Sequence, residues 1–234
     1  MKKPKIINYA ARPEAKIQSE IIDGLRLNQW FVKVLHGNAY QTGMPDLFAC
    51  KRSSGWRFIE CKQPVKYMFT EGQCESFPKL AAAGVNIWVM TAWNPHEYNK
   101  LFLPCNWYHY FTPEHMRSGK TAKREPPKES GPEAAIQERL IRTLQEDGWY
   151  VKVLHGDLYQ HGFPDLFACK KGHGWRFIEV KNPAAYRFTA AQYECFPRLM
   201  SEGVGVWILV DNTDFEIKKL DGPANWTDYL KGSQ

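Results

Sequence analysis

The sequence predicts an α/β protein in which one small mixed sheet, flanked by helices, is built twice in tandem. Three observations carry this. Shifting the chain by 119 residues aligns Glu14–Tyr110 with Glu133–Tyr229 without a gap, and 49 of the 97 pairs are identical. Within each copy the apolar pattern switches from helical spacing to short strand-like runs and back again. Between the copies, FTPEHMRSGKTAKREPPKESGP (111–132) is rich in Pro, Lys, Glu and Ser and has no apolar period, so it reads as a linker. Copies of this length are domains rather than solenoid units, which run to roughly 20–50 residues. The expected organisation is 1–110, a linker at 111–132, and 133–234. As a flexible coil the linker spans roughly 25 Å, enough for the copies to pack side by side as a covalent pseudo-dimer.

Each copy reads in the same order. Pro13 and Pro132 stand where a helix's first position falls. Ile17, Ile21 and Leu25, like Ile136, Leu140 and Leu144, recur at i, i+4 and i+8, the stripe of an amphipathic helix. β-rich runs follow at Trp30–Leu35 and Trp149–Leu154, then a polar loop containing glycine. Next come Asp46–Lys51 and Trp56–Lys62, joined by Arg52-Ser53-Ser54-Gly55, a hairpin signature. The second copy turns through Lys171-Gly172-His173-Gly174. Thr70 and Thr189 suit the N-caps of a second helix that ends before Gly84 and Gly203. Val85–Thr91 and Val204–Val210 make a last core strand, giving α-β-β-β-α-β in each copy.

Composition bounds the function. At 44% hydrophobic and 14% aromatic, the chain can build a core and is no disordered segment. A formal charge of +6 leans mildly toward a polyanionic partner. The six cysteines, at 50, 61, 74, 105, 169 and 195, form no CxxC and no zinc-spaced cluster. Several lie inside apolar runs, where a free thiol acts as a small hydrophobe, and a reduced, cytoplasmic setting fits. MKKPKIINYA lacks the apolar stretch of a signal peptide, and no apolar run approaches the roughly 20 residues of a membrane span. There is no P-loop or helix-turn-helix signature, so neither an ATP motor nor sequence-specific readout is indicated.

The chemistry concentrates in GMPDLFACKRSSGWRFIECK (43–62) and its copy GFPDLFACKKGHGWRFIEVK (162–181). With a turn centred near Ser53–Ser54, antiparallel pairing sets Asp46 roughly opposite Cys61 and brings Asp46 and Glu60 to one end of the hairpin. Glu60 and Lys62 share a face, while Cys61 points to the other, where the second copy carries Val180. Two carboxylates and an ammonium thus converge. Mg²⁺ takes oxygen ligands of this kind, usually one or two carboxylates plus substrate phosphate and water, and an adjacent lysine can orient a water or offset developing charge. That is equipment for phosphodiester hydrolysis. An exposed salt-bridge cluster at a hairpin end would use the same residue types. The catalytic reading is favoured because the set stands in both copies, behind Gly-x-Pro, where about half of the other positions differ.

GMPD-x13-ECK and GFPD-x13-EVK resemble the PD-(D/E)xK nuclease signature, and the surroundings resemble its VRR-NUC branch, similar in fold to Holliday-junction resolvases. That branch opens on a helix with E-x-x-I-Q, here Glu14–Gln18 and Glu133–Gln137, and has a later helix beginning near T-x-x-Q, here Thr70–Gln73 and Thr189–Gln192. The resemblance implies two tandem restriction-endonuclease-like domains. It implies that Asp46, Glu60 and the carbonyl of Cys61 hold Mg²⁺ or Mn²⁺, with Lys62 catalytic. Asp165, Glu179, the carbonyl of Val180 and Lys181 would repeat this. Glu14 and Glu133 would add an acid from the first helix, although an acid in a first turn also simply suits the helix dipole. Gln73 and Gln192 would line the site. The implied activity is a metal-dependent endonuclease acting on branched or duplex DNA, with two sites in one pseudo-dimeric chain and room for further homo-oligomerisation. Flap, mismatch, restriction-type or RNA cleavage stays open, as does a nucleic-acid-binding module with one or both sites idle. A small nuclease without a helicase would suit phage DNA processing. Two features depart from the branch: the duplication within one chain, and Cys61 where a small aliphatic is usual.

Other residues read two ways. His36-Gly37 with Tyr40-Gln41, and His155-Gly156 with Tyr159-Gln160, either touch a substrate backbone or satisfy their own loop. Trp56-Arg57 and Trp175-Arg176 read as packing before they read as a DNA wedge. Lys33, Lys51, Lys66, Lys79, Lys100, Lys152, Lys170, Lys171 and Arg187 either contact phosphates or form ordinary solvated faces.

Overall fold

In a computed structural model the chain is described over residues 13–35, 43–116, 131–154 and 161–232. The first half runs α1 (Pro13–Leu27), β1 (Phe31–Val34), β2 (Leu47–Lys51), β3 (Gly55–Cys61), α2 (Glu71–Ala82) and β4 (Ile87–Met90), closing with short helices α3 (Pro95–Lys100) and α4 (Trp107–Tyr110). The second half runs α5 (Pro132–Glu146), β5 (Tyr150–Val153), β6 (Leu166–Lys170), β7 (Gly174–Val180), α6 (Ala190–Ser201), β8 (Val206–Leu209) and α7 (Asp214–Lys218). The protein is therefore mixed α/β, with two four-stranded sheets flanked by helices. In each sheet the strands lie in chain order, the first three antiparallel and the last parallel to the third. The parallel step needs a crossover, and α2 or α6 supplies it.

The strand alternation divides each sheet into two buried faces. Leu47, Ala49, Ile59 and Cys61 pack with Ile21 and Leu25 of α1. Leu166, Ala168, Ile178 and Val180 pack with Leu140 and Leu144 of α5 in the same way. The opposite faces, Phe48, Cys50 and Phe58 with Phe77 of α2 and Phe167, Cys169 and Phe177 with Phe196 of α6, merge into one cluster. The two sheets meet there. Phe48 lies 5.0 Å from Phe177 and Phe58 lies 5.3 Å from Phe167, a reciprocal pair of contacts. Trp56 and Trp175 meet edge to face at 4.9 Å, each other's counterpart under the 119-residue shift. Both tryptophans are thus packing residues.

The hairpin register corrects one expectation. Leu47 pairs with Ile59 and Lys51 with Gly55, leaving a three-residue loop, Arg52 to Ser54. Gly55 takes φ +76, the left-handed conformation that three-residue hairpin loops require. Continued one step, this register sets Asp46 opposite Glu60 rather than Cys61.

Residues 111–116, read above as the start of the linker, pack on the first half: Phe111 lies 5.2 Å from Phe69, and the His115 ring stacks on Tyr67 at 4.0 Å. The free edges of β4 and β8 are closed by side chains. Asn106 accepts from the Val89 N–H and donates to its carbonyl, and Asn225 does the same for Ile208. Such closure blunts an edge that would otherwise recruit another strand. All six cysteines are free thiols, and among the described residues no helix is long and apolar enough to cross a membrane.

Candidate active site

The loop into β2 explains the Gly-x-Pro-Asp spelling. Gly43 and Gly162 adopt φ +89 and +76, which favour glycine. A Cβ on Gly43 would lie 2.4 Å from the Gly72 carbonyl, and one on Gly162 2.3 Å from that of Ala191. Each glycine therefore lets the loop run against the first turn of α2 or α6. The aspartate directly after Pro is thereby delivered to the mouth of the hairpin. Asp46 Oδ2 accepts the Cys61 N–H at 2.6 Å, and Asp165 Oδ2 accepts the Val180 N–H at 2.7 Å.

The second helix contributes through its cap. Thr70 and Gln73, like Thr189 and Gln192, form a capping box in which the glutamine Oε1 accepts the threonine backbone N–H. That bond aims the amide nitrogen inward. Gln73 Nε2 donates to Glu60 Oε1 at 2.6 Å, and Gln192 Nε2 to Glu179 Oε1 at 2.5 Å. The T-x-x-Q spelling is thus a cap and a site contact at once.

Glu60 and Glu179 are fully buried. Lys62 Nζ lies 2.6 Å from Glu60 Oε1 and 3.5 Å from Glu14 Oε1. Lys181 Nζ lies 2.5 Å from Glu179 Oε1 and 3.6 Å from Glu133 Oε1. The structure therefore brings Asp46, Glu60, Lys62, Gln73 and Glu14 together, and Asp165, Glu179, Lys181, Gln192 and Glu133 likewise. Burial alone would lower the pKa of Lys62 and Lys181, but the surrounding carboxylates outweigh it, and both are shifted upward. Each lysine is held as an ammonium. Glu179 is pushed up to about 8, first by burial and then by the charge of Asp165.

Glu179 Oε2 is buried with no hydrogen-bond partner among the described residues. A buried carboxylate oxygen left over beside a second carboxylate fits a hard divalent cation. Among the described residues no three His, Cys, Asp or Glu side chains gather as a ready cage. Each site offers two carboxylates, a sparse donor set of the kind that suits Mg²⁺, which keeps several waters and borrows substrate oxygens.

The remaining candidates separate. Arg57 donates to the Leu101 carbonyl and stacks 4.6 Å over Trp88; Arg176 does the same with Leu220 and Trp207. Lys33 donates to the His161 carbonyl, Lys51 to that of Asn28, Lys100 pairs with Glu97, and Lys170 with Asp147. These lysines serve local structure rather than one shared face. His36, Gly37, Tyr40, Gln41, His155, Gly156, Tyr159 and Gln160 lie outside the described residues. Sequence reasoning passed over Ser76 and Tyr150, whose hydroxyls bond at 2.7 Å between the halves. The only sequence signal for them is that positions 31/150 and 76/195 differ between the copies.

Comparison with protein-family models, curated proteins and solved structures found no match.

Proposed function

We propose that the chain is a metal-dependent DNA endonuclease of the PD-(D/E)xK type, with two active sites in one polypeptide. One observation carries this reading: the same Asp–Glu–Lys–Gln constellation recurs in both halves, with Glu, Lys and Gln buried in each and hydrogen bonds equal to within about 0.1 Å. Residues tied only by fold stability would not need to keep a fully buried glutamate beside a buried lysine, each costly away from water.

Asp46, Glu60 and the Cys61 carbonyl would hold Mg²⁺ or Mn²⁺ in the first site, and Asp165, Glu179 and the Val180 carbonyl in the second. Bound there, the cation would polarise the scissile phosphoryl group and acidify a water. Lys62 and Lys181, held as ammoniums, would orient the attacking water and offset the charge that grows on the phosphoryl oxygens. Gln73 and Gln192 fix the glutamate rotamer, and Glu14 and Glu133 hold the far side of each lysine. The sites lie on two sheets joined by one aromatic core, so a duplex could be cut on both strands by one chain.

The test uses supercoiled plasmid, linear duplex, four-way junction, flap and RNA substrates with Mg²⁺, Mn²⁺ or EDTA. Cleavage should require the metal. Asp46→Ala and Asp165→Ala should each turn double-strand cutting into nicking, and the double variant should abolish both. Cutting that survives in the double variant would show the sites are misassigned. Binding without cutting by the wild type would leave a nucleic-acid-binding module.

A further inference from the structure

A groove of about 370 Å³ opens between the C-terminal end of α2 and the turn side of the second half. Lys79 and Ala83 line one wall, and Gly148, Tyr150, Lys170 and Lys171 the other. Lys170, at the opposite end of β6 from Asp165, is five residue steps or roughly 17 Å away, so the groove is separate from the sites above.

The counterpart position on the other flank shows what this groove accepts. There Glu202, at the end of α6, takes a hydrogen bond at 2.5 Å from the backbone N–H of Arg52, the first residue of the β2–β3 turn. Under the 119-residue shift Arg52 corresponds to Lys171 and Glu202 to Ala83. The two cap positions share one backbone conformation, φ −87 and ψ 5 at Ala83 against φ −89 and ψ 6 at Glu202. One flank thus carries its own anion on the turn amide. The other has a turn of equal length closed by the equivalent hydrogen bond, His173 N–H to the Lys170 carbonyl as Ser54 N–H to that of Lys51, though Gly172 takes φ +84; it has a methyl group where the carboxylate would be, and a groove in its place.

Charge in the groove is positive. Lys79 and Lys171 have no ion pair among the described residues, while Lys170 is held 3.0 Å from Asp147, which partly neutralises it. Lys79 Nζ also sits 5.8 Å from the Tyr150 ring centroid. A carboxylate satisfies the amide on the first flank. Two ammoniums with no carboxylate partner among the described residues, beside the corresponding amide, suit a group of higher charge with more acceptor oxygens. The volume falls in the range of small-ligand pockets, roughly 300–1,000 Å³.

We infer that this groove is a phosphate-binding site, with Lys79, Lys171 and the Lys171 backbone N–H as its donors. Glu202 is the built-in occupant of the corresponding position on the opposite flank. The phosphate comes either from a nucleic-acid end or from a free phosphate compound.

The inference is independent of cleavage, and the experiment runs in EDTA. Pyrophosphate, a 5′-phosphorylated dinucleotide and the same dinucleotide without its phosphate are titrated into the full chain. Calorimetry and the amide shift of Lys171 report binding. Both phosphate ligands should bind and the unphosphorylated dinucleotide should not. Tighter binding of the phosphorylated dinucleotide assigns nucleic-acid ends as the source, and equal or tighter binding of pyrophosphate assigns free phosphate compounds; either ranking supports the site. Ala83→Glu should place a carboxylate on the Lys171 amide and weaken binding at least tenfold. Glu202→Ala should free the Arg52 amide beside Arg198 and raise the stoichiometry from one to two. Undiminished binding to Ala83→Glu, or no phosphate binding by the wild type, overturns the inference.

Discussion

Beside each site the second helix holds a glutamate through a capping glutamine, at 2.6 Å in one half and 2.5 Å in the other. One or two turns further along those same helices the halves part company. Ser76 of α2 receives the Tyr150 hydroxyl, whereas the corresponding Cys195 of α6 lies in the apolar cluster with Phe31. Beyond them Ala83 leaves a groove where Glu202 closes one. At these contacts the differences come in matched pairs: Ser76 with Tyr150 against Cys195 with Phe31, and Ala83 with Lys171 against Glu202 with Arg52. A second such pair lies under α1 and α5: Trp93 packs against Gly24, while their counterparts Asn212 and Thr143 hydrogen-bond at 3.1 Å. These packing partners differ together between the halves, whereas the Asp, Glu, Lys and Gln side chains of the two sites are the same residue types.

The largest effect should come from the shared aromatic core, where the comparison predicts equality. Phe48 and Phe167 are both fully buried and contact rings of the opposite half. Phe48→Ala and Phe167→Ala should each cost roughly 3–5 kcal/mol, because a phenyl-sized cavity opens between two sheets. Chemical denaturation would measure it. If one variant costs little, the halves are not bound through a common core.

A smaller effect should separate the site from its surroundings by pH. The Glu179 pKa is raised to about 8 in the folded chain, above its ordinary value in the unfolded one. The folded state then holds a proton that the unfolded state releases, so the associated stability is present at acid pH and is lost as pH rises toward 8. In EDTA the wild-type Tm should fall by several °C from pH 5 to 8, whereas Glu179→Gln should flatten that fall. Mg²⁺ should raise the wild-type Tm more at pH 8 than at pH 6 and leave Glu179→Gln nearly unmoved. A slope unchanged in Glu179→Gln would place the titrating group elsewhere.

Much of this was readable in the chain because the signals were local. Thr70 and Thr189 cap their helices as their spelling predicts, and Ile21 and Leu25 face the sheet as their spacing predicts. The hairpin register was missed by one residue because the sequence marks a turn without fixing how many residues it holds; Gly55 closes a three-residue loop. The interface between the halves was not readable either. Alternation declares that Phe48 and Phe58 are buried, but burial against a helix and burial against another sheet spell the same. Asn106 and Asn225, which close the sheet edges, carry no periodic signal. That Asp46, Glu60 and Lys62 meet followed from the hairpin spacing, Gln73 and Glu14 were placed beside them only through the resemblance, and the ammonium state of Lys62 and Lys181 needed the arrangement of carboxylates around them.

The smallest effect tests the matched pairs directly. Ser76 donates its hydroxyl to the Gly72 carbonyl at 2.6 Å and accepts from Tyr150 at 2.7 Å, so Tyr150→Phe removes one hydrogen bond and leaves an acceptor unfilled. That should cost about 1 kcal/mol. Ser76→Cys should cost a similar amount, because the Tyr150 hydroxyl then faces a thiol, a poor acceptor. The double variant rebuilds the Phe31–Cys195 combination that the opposite flank already carries. It should be less destabilised than the sum of the two, with a coupling of about 1 kcal/mol in a double-mutant cycle. Strict additivity would mean that the two flanks pack independently of their partners, and that the matched differences between the halves arose without mutual constraint.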